Sequence, residues 1–580
     1  MLKKKKIREI RNENGITLVA LVVTIIVLIL LAGVSINLVI GNNGIMQKAS
    51  KAKKDMEQAA KEEQEILSAL EEKLDSLNAA NAPVLLTGMT PIKFTMPTED
   101  KMGETVETTE DDGGWYSYGI TSETKKWANA KTEDGSMWVW IPRFAYRVDK
   151  EKQVIDVVFL QGTTDNYFDE NGELQTAKRQ KSVDETIDAT TGYTVHPAFT
   201  DESSIKFANG GWDKELTGIW VAKFDAGYAS GNNTATVKAS SVKYTPSKVR
   251  TYRTERGTDE DDSEDARNWL DGIYGETKTS IKYPTFQGVT YAMNYINHND
   301  CFNIAKTLNE SGNIYGLSTS DSDSHLMKNS EWGACSYLSL SKYGLYNVDI
   351  KANSVNLNSG NRKRTETAGK SGVDSVYAVT GCSAGGTKTT IEKLNALTAN
   401  KADTTGAYVW NQKNGQKSST TGTIYGVYDM SGTVWERTAA YIANGHGYLK
   451  GFGASISYDG NTLKEESTKY TTVYPFNEKD SEGNKVTDID IASRQNFVAN
   501  SKIYGDAVRE TNPGKAGTSE DGWNYSSWTN DFSYFPALYS PFFARGDYFW
   551  NGLRAGVCAF ILRDGGSDFG CGFRAVIVNK

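Results

Sequence analysis

The chain is poor in the residues from which metal and thiol centres are built. Its five cysteines, Cys301, Cys335, Cys382, Cys558 and Cys571, show no C-x-x-C and no regular spacing. Neither a zinc site nor a disulfide framework is therefore expected, and the odd count leaves at least one thiol unpaired within the chain. The four histidines, His196, His298, His325 and His446, are scattered, with no H-E-x-x-H or comparable pair, which argues against a histidine-built metal centre. Clustered positive charge is missing beyond the first residues. Lys3, Lys4, Lys5, Lys6, Arg8 and Arg11 stand against Glu9 and Glu13 in residues 1–15, so of a net charge of −8 the rest of the chain carries −12. So acidic a body is unsuited to neutralising phosphates, and nucleic acid is not expected as a partner.

One long apolar run is present, and it lies at the N-terminus. Residues 16–40, ITLVALVVTIIVLILLAGVSINLVI, are uncharged and reach about 37 Å as a helix at ~1.5 Å per residue, enough to span a bilayer. The basic leader 1–15 meets this tract at Gly15-Ile16, with no small-residue cleavage site after the apolar core as a secretory signal would have. This junction, Gly15, Ile16, Thr17 and Leu18, resembles that of a type IV prepilin. The resemblance implies cleavage after Gly15 by a prepilin peptidase, a mature N-terminus at Ile16, and a helix that packs with pilus subunits or stays in the membrane. Ala20 stands where that family usually carries a glutamate, which argues against a major pilin and leaves a minor pilin or membrane-anchored pseudopilin; an uncleaved signal anchor is the alternative. Residues 41–83 read as a helical stalk, with Leu67, Leu70, Leu74 and Leu77 on one stripe and its end at Asn78 to Pro83.

From residue 84 to 580 the patterning changes to short segments rich in β-branched and aromatic residues. MWVWIPRFAYRV (137–148), LTGIWVAKFDAGY (216–228) and FRAVIVNK (573–580) predict strands. Helical periodicity is confined to 286–308, where Val289, Ala292, Met293 and Ile296 share a face, and to 328–344, where Trp332, Cys335 and Leu338 do. Polar stretches near 150–200, 229–280, 345–400 and 455–525 read as loops and insertions.

GVYDMSGTVWERT (426–438) resembles the signature of the formylglycine-generating-enzyme-like (sulfatase-modifying-factor-like) branch of the C-type lectin fold. WIPRFAY (140–146), IWVAKFDAGY (219–228), NSEWGA (329–334) and the terminal GFR (572–574) follow that family's order. The expected fold class is thus α+β: a C-type lectin domain with long insertions over 84–580, preceded by the transmembrane or pilin-like helix. The resemblance implies a structural calcium held by Asp429, Gly432, Val434 and Glu436, through hard oxygen donors; the bland alternative is that Asp429 caps a turn and Glu436 makes an internal ion pair. Oxidases of the family need two cysteines a few residues apart near the C-terminus, whereas Cys558 and Cys571 are thirteen apart. GCSAG (381–385) fits a nucleophile elbow, but strand-helix alternation is lacking and only His446 follows as a base; a displaced lysine also spoils a phosphate loop. No catalytic residue is expected.

The tract ARGDYFWNGLRAGVCAFILRDGGSDFGCGFRAVIV mixes aromatic, charged and glycine residues without a period, a composition suited to recognition. Over 545–574 it resembles the variable proteins of diversity-generating retroelements, whose lectin-fold face is altered by adenine-specific reverse transcription. The fixed framework is Arg545, Gly546, Trp550, Gly552, Ala555, Gly556, Val557, Ala559, Phe560, Gly565, Gly572, Phe573 and Arg574. Between them the resemblance assigns ligand contact to Asp547, Tyr548, Phe549, Leu553, Arg554, Cys558, Ile561, Leu562, Arg563, Asp564, Gly566, Asp568, Phe569, Gly570 and Cys571. Randomising the two adenines of an Asn codon cannot yield Lys, Glu, Gln, Met or Trp, and none of these occurs at those positions. The expected function is a non-catalytic adhesin or receptor on the bacterial surface, anchored in the membrane or on a pilus, for a protein or glycan ligand. The alternative is a membrane-tethered enzyme of the formylglycine-generating-like fold.

Overall fold

The structure is a computed structural model that describes residues 22–27, 56, 58, 82–180, 187, 191–201, 210–228, 284–290, 292–294, 296–346, 379–383, 391–404, 406–479, 482–512, 527–528, 531–547, 555–566, 568 and 570–580. Two compact units divide the chain, Met1–Asp75 and Ser76–Lys580. In the first, residues 22–27 are helical and Val22, Val23, Ile25, Ile26 and Val27 are all exposed. Among the described residues no helix is long and apolar enough to cross a membrane. The leader with Gly15 and Ile16, most of the 16–40 tract and nearly all of the stalk lie outside the described residues.

The second unit is α+β. Among its strands, in chain order, are β1 (Thr90–Phe94), β2 (Thr105–Glu107), β3 (Asn129–Lys131), β4 (Met137–Pro142), β5 (Phe144–Asp149), β6 (Val154–Phe159) and β7 (Thr194–Val195). There follow β8 (Gly218–Ala222), β9 (Ser322–Leu326), β10 (Trp435–Ile442), β11 (Thr472–Tyr474), β12 (Phe542–Arg545), β13 (Phe560–Arg563), β14 (Cys571–Phe573) and β15 (Ala575–Asn579). Four helices matter to the site: α1 (His298–Lys306), α2 (Asn329–Leu340), α3 (Gly447–Ser457) and α4 (Ile489–Ala499).

A seven-stranded antiparallel sheet runs β9-β15-β8-β4-β3-β1-β2. Its middle strands are buried on both faces, which is why β4 reads as the near-continuous apolar run WVWI rather than as an alternation. Trp140 sits opposite Trp220 in the β4/β8 register with ring centroids 5.2 Å apart. Such a pair leaves no room at Gly218, where a Cβ would meet the Trp140 ring at 2.4 Å. The second sheet runs β11-β10-β12-β13, with β14 parallel to the start of β10. Because β14 belongs to this sheet and β15 to the other, the chain crosses between them at Arg574. A smaller sheet, β7-β5-β6, completes the framework.

The predicted strands form, but the 137–148 segment breaks into β4 and β5 at Arg143. The 328–344 helix forms as α2, buried throughout with Trp332, Cys335 and Leu338. The 286–308 helix does not form over its first half: Asn297 caps α1 by accepting from Asp300 N–H, and Val289 adopts a φ of +63° that no α-helix tolerates. The 150–200 and 455–525 stretches, read as loops, contain β6, β7, β11 and α4. The cap of α4, where Asp488 accepts from Asp490 and Ile491 N–H, was the available sequence signal.

Candidate functional site

Two buried arginines organise the C-terminal tract. Arg574, at the junction of the sheets, donates to both Glu436 oxygens at 2.8 and 2.7 Å, to Asp225 Oδ1 at 3.0 Å, and to the carbonyls of Ala222 and Tyr428 at 2.7 Å each. All three charged side chains are fully buried. Burial alone would weaken the guanidinium charge, yet Glu436 and Asp225 hold its pKa above the ordinary value. Asp225 is raised well above the carboxylate range, by burial first and then by the Glu436 charge. Arg545 instead binds backbone: its Nε, Nη1 and Nη2 donate to the carbonyls of Ala559, Asp506 and Ala507 at 3.0, 2.8 and 3.1 Å.

The 426–438 motif is a scaffold for this arrangement. Asp429, Gly432 and Thr433 all have positive φ, so the chain turns sharply before β10 begins at Trp435. Gly432 N–H donates to Gly546 O and Trp435 N–H to Gly570 O, which ties the motif to both ends of the tract. The calcium expectation does not fit these residues. Both Glu436 oxygens are bound by the Arg574 guanidinium, and the Asp429 oxygens accept from Gly381 N–H, Thr433 Oγ1 and Asp225 N–H. With the guanidinium in bidentate contact the Glu436 charge is already paired, and a calcium ion beside it would meet the positive charge of Arg574. Asp429, pushed up to about 6 by burial, serves instead as the acceptor that closes the turn. Among the described residues no three His, Cys, Asp or Glu side chains are arranged to hold a metal.

The framework assigned within 545–574 is buried wherever it is described: Arg545, Gly546, Ala555, Gly556, Val557, Ala559, Phe560, Gly565, Gly572, Phe573 and Arg574. Trp332 Nε1 donates to Val557 O at 2.7 Å, and Cys558 N–H to Asp531 Oδ2 at 2.9 Å. Gly556 is required by that carboxylate, for a Cβ there would lie 2.1 Å from it. Arg437 donates to Gly566 O and His298 N–H to Gly565 O, so the chain after β13 is fastened as well.

The fifteen expected contact positions divide. Ile561, Leu562, Arg563 and Asp564 along β13 and its end, and Asp568 in the turn after it, are only partly buried. Arg563 lies 3.5 Å from Asp568 and 5.8 Å from the Trp435 ring centroid. Asp564 and Asp568 accept from the N–H groups of Gly566 and Gly570, which shapes the turn. Asp547, Cys558, Gly566, Gly570 and Cys571 are buried and present no side chain to solvent in this structure. Asp547 also has a φ of +63°, a conformation that Asp and Asn accept and most other side chains resist. Tyr548, Phe549, Leu553, Arg554 and Phe569 lie outside the described residues.

No family model matches the chain, and neither does any curated protein sequence.

Nucleophile chemistry finds little support in the geometry. All five cysteines are buried; burial pushes the Cys571 thiol up to about 11 and the Cys301, Cys335 and Cys382 thiols higher still. Such thiols are poor thiolate nucleophiles. Ser383 lies in a two-residue strand paired with Tyr408, while His446 caps α3 and stacks edgewise on Tyr448. One polar cluster escaped the sequence reading. Tyr146 OH and Gly505 N–H donate to Glu510 Oε1 at 3.0 and 2.7 Å, and Tyr474 OH donates to Asp506 Oδ2 at 2.6 Å. Burial, then the Asp506 charge, pushes Glu510 up to about 8. The Asp506 and Ala507 carbonyls are the acceptors of Arg545, so this cluster underlies the tract rather than facing a cleft.

Proposed function

We propose that the protein is a non-catalytic ligand-binding protein of the bacterial surface, an adhesin or receptor whose contact residues in 545–574 are diversified by adenine-specific retroelement mutagenesis on a C-type lectin fold. The observation that carries this reading is the division of the tract: a buried, hydrogen-bonded framework lies beneath partly exposed side chains at 561–564 and Asp568. A scaffold of this kind lets surface residues change without disturbing the core. Arg574 and Arg545 supply the rigidity, because each fixes the tract through several buried hydrogen bonds that a substituted contact residue leaves untouched.

The prepilin-like leader, Gly15 and Ile16, and the apolar 16–40 tract supply the anchor in this proposal, with the stalk holding the binding unit away from the membrane. N-terminal sequencing of the mature protein tests that part, and an N-terminus other than Ile16 removes the prepilin peptidase from the account. The diversification is tested in the neighbouring DNA. A nearby imperfect copy of the 545–574 coding sequence, differing only at adenines and accompanied by a reverse transcriptase gene, is the expected finding; its absence contradicts the proposal.

A further inference from the structure

The strand β13 is an edge of its sheet, and among the described residues one rung of that edge is open. Its inner side pairs with β12, Ala544 opposite Ile561 and Phe542 opposite Arg563. Gly546 N–H donates to Ala559 O, which fixes the alternation. Main-chain groups of Ala559, Ile561 and Arg563 face β12, and those of Phe560 and Leu562 face away. At Phe560 the outward groups are taken: its N–H donates to Phe532 O at 2.9 Å and its carbonyl accepts from Tyr534 N–H at 2.9 Å. A parallel segment therefore already occupies the edge there. It leaves at Phe535, which turns into the cluster of Phe497, Phe543 and Phe560. One rung further, the outward N–H and C=O of Leu562 have no partner among the described residues. Proteins ordinarily cover such an edge or blunt it with charge or proline; here the flanking Arg563 and Asp564 supply charge, while the open rung itself carries the apolar side chain of Leu562.

We propose that the partner bound by this face is a protein, held through a segment in extended conformation that adds to β13 alongside Leu562, continuing the edge that Phe532–Tyr534 begins. The inference rests on the reading of 545–574 as a binding face and names the class of its ligand. The outward N–H and C=O of Leu562 repeat the geometry of the rung at Phe560, which a peptide main chain, Phe532 O and Tyr534 N–H, already fills. Strand addition also suits a diversified surface, because main-chain bonds give affinity that survives side-chain change while alternate side chains give specificity. Ile561 and Arg563 point to the Trp435 face, and Leu562, opposite Phe543, to the other.

The test pans the full chain against a displayed library of linear peptides and, separately, against a glycan array. Selected peptides are then resynthesised with single backbone N-methyl groups and measured on the wild type and on Leu562→Pro, Leu562→Ala and Arg563→Ala. The expected result is binding that weakens about tenfold or more at alternate N-methyl positions and on Leu562→Pro, and less on Leu562→Ala. Peptides that bind through Arg563 without that alternation overturn strand addition and keep the binding face. Glycans retained in an Arg563-dependent way, with no peptide retained, overturn the protein ligand and likewise keep the face. Retention of neither, or retention indifferent to all three substitutions, overturns both readings. If Leu562→Pro fails to fold, the N-methyl series decides alone.

Discussion

Replacing Arg574 by methionine removes five hydrogen bonds and, among the described residues, the one cation in contact with Glu436 and Asp225, both fully buried. Breaking a buried pair by deleting one partner costs ~3–5 kcal/mol, since the remaining charge must be borne unpaired or neutralised by a proton. Unfolding a unit of roughly 500 residues at ~2.1 cal/mol/K per residue carries an entropy near ~1 kcal/mol/K. The expected fall in Tm is therefore about 3–5 °C by differential scanning calorimetry. Arg574→Lys should recover less than half of this, because a point ammonium cannot serve Glu436 in the bidentate manner and reach Ala222 O and Tyr428 O as well. Adding Glu436→Gln to Arg574→Met should restore part of the loss by removing the stranded charge. A Tm for Arg574→Met within about 1 °C of the wild type would refute the reasoning, as would strictly additive effects in the double variant.

Glu510 supplies a pH dependence of known sign. Its folded pKa, about 8, lies above its ordinary value of 4.5, so the folded state holds a proton the unfolded state gives up; its stabilising contribution is full below pH 4.5 and is lost as pH rises through about 8. Glu510→Gln should gain Tm over the wild type progressively between pH 5 and 8, and an unchanged difference across that range contradicts the assignment. Gly556→Ala sets a methyl 2.1 Å from the Asp531 carboxylate and should destabilise by ~1–3 kcal/mol, read as a shifted urea midpoint; a neutral result would mean that Asp531 moves freely. Because Arg574 occupies Glu436, removing calcium with a chelator should leave the thermal melt unchanged, and a clear downward shift would restore the calcium site.

The parts of this protein legible in sequence are those where one local pattern has one structural consequence. β4 and β15 follow from their apolar runs, and α2 from Trp332, Cys335 and Leu338. The parts that were not legible depend on long-range partners. Glu436 sits in a motif whose resemblance implies a metal ligand, yet its role is set by Arg574, 138 residues away. Within 545–574 the tract has no period, so burial could not be read from spacing; Cys558 and Cys571 lie inside because Asp531 and the β10/β14 pairing draw the backbone in. Glu510 and Asp506 stood in a stretch read as a loop, and only the packing of Tyr146, Tyr337 and Tyr474 around them makes them a buried cluster.

The central claim is that a fixed framework carries replaceable contacts, and deep sequencing of the 545–574 coding segment from a clonal bacterial population tests it directly. The account predicts substitutions concentrated at Ile561, Leu562, Arg563, Asp564 and Asp568, rarer at the buried Asp547, Cys558 and Cys571 among functional copies, and absent at Arg545, Gly556, Val557, Phe573 and Arg574. Substitutions spread evenly over both sets, or a segment no more variable than the flanking strands, would contradict it.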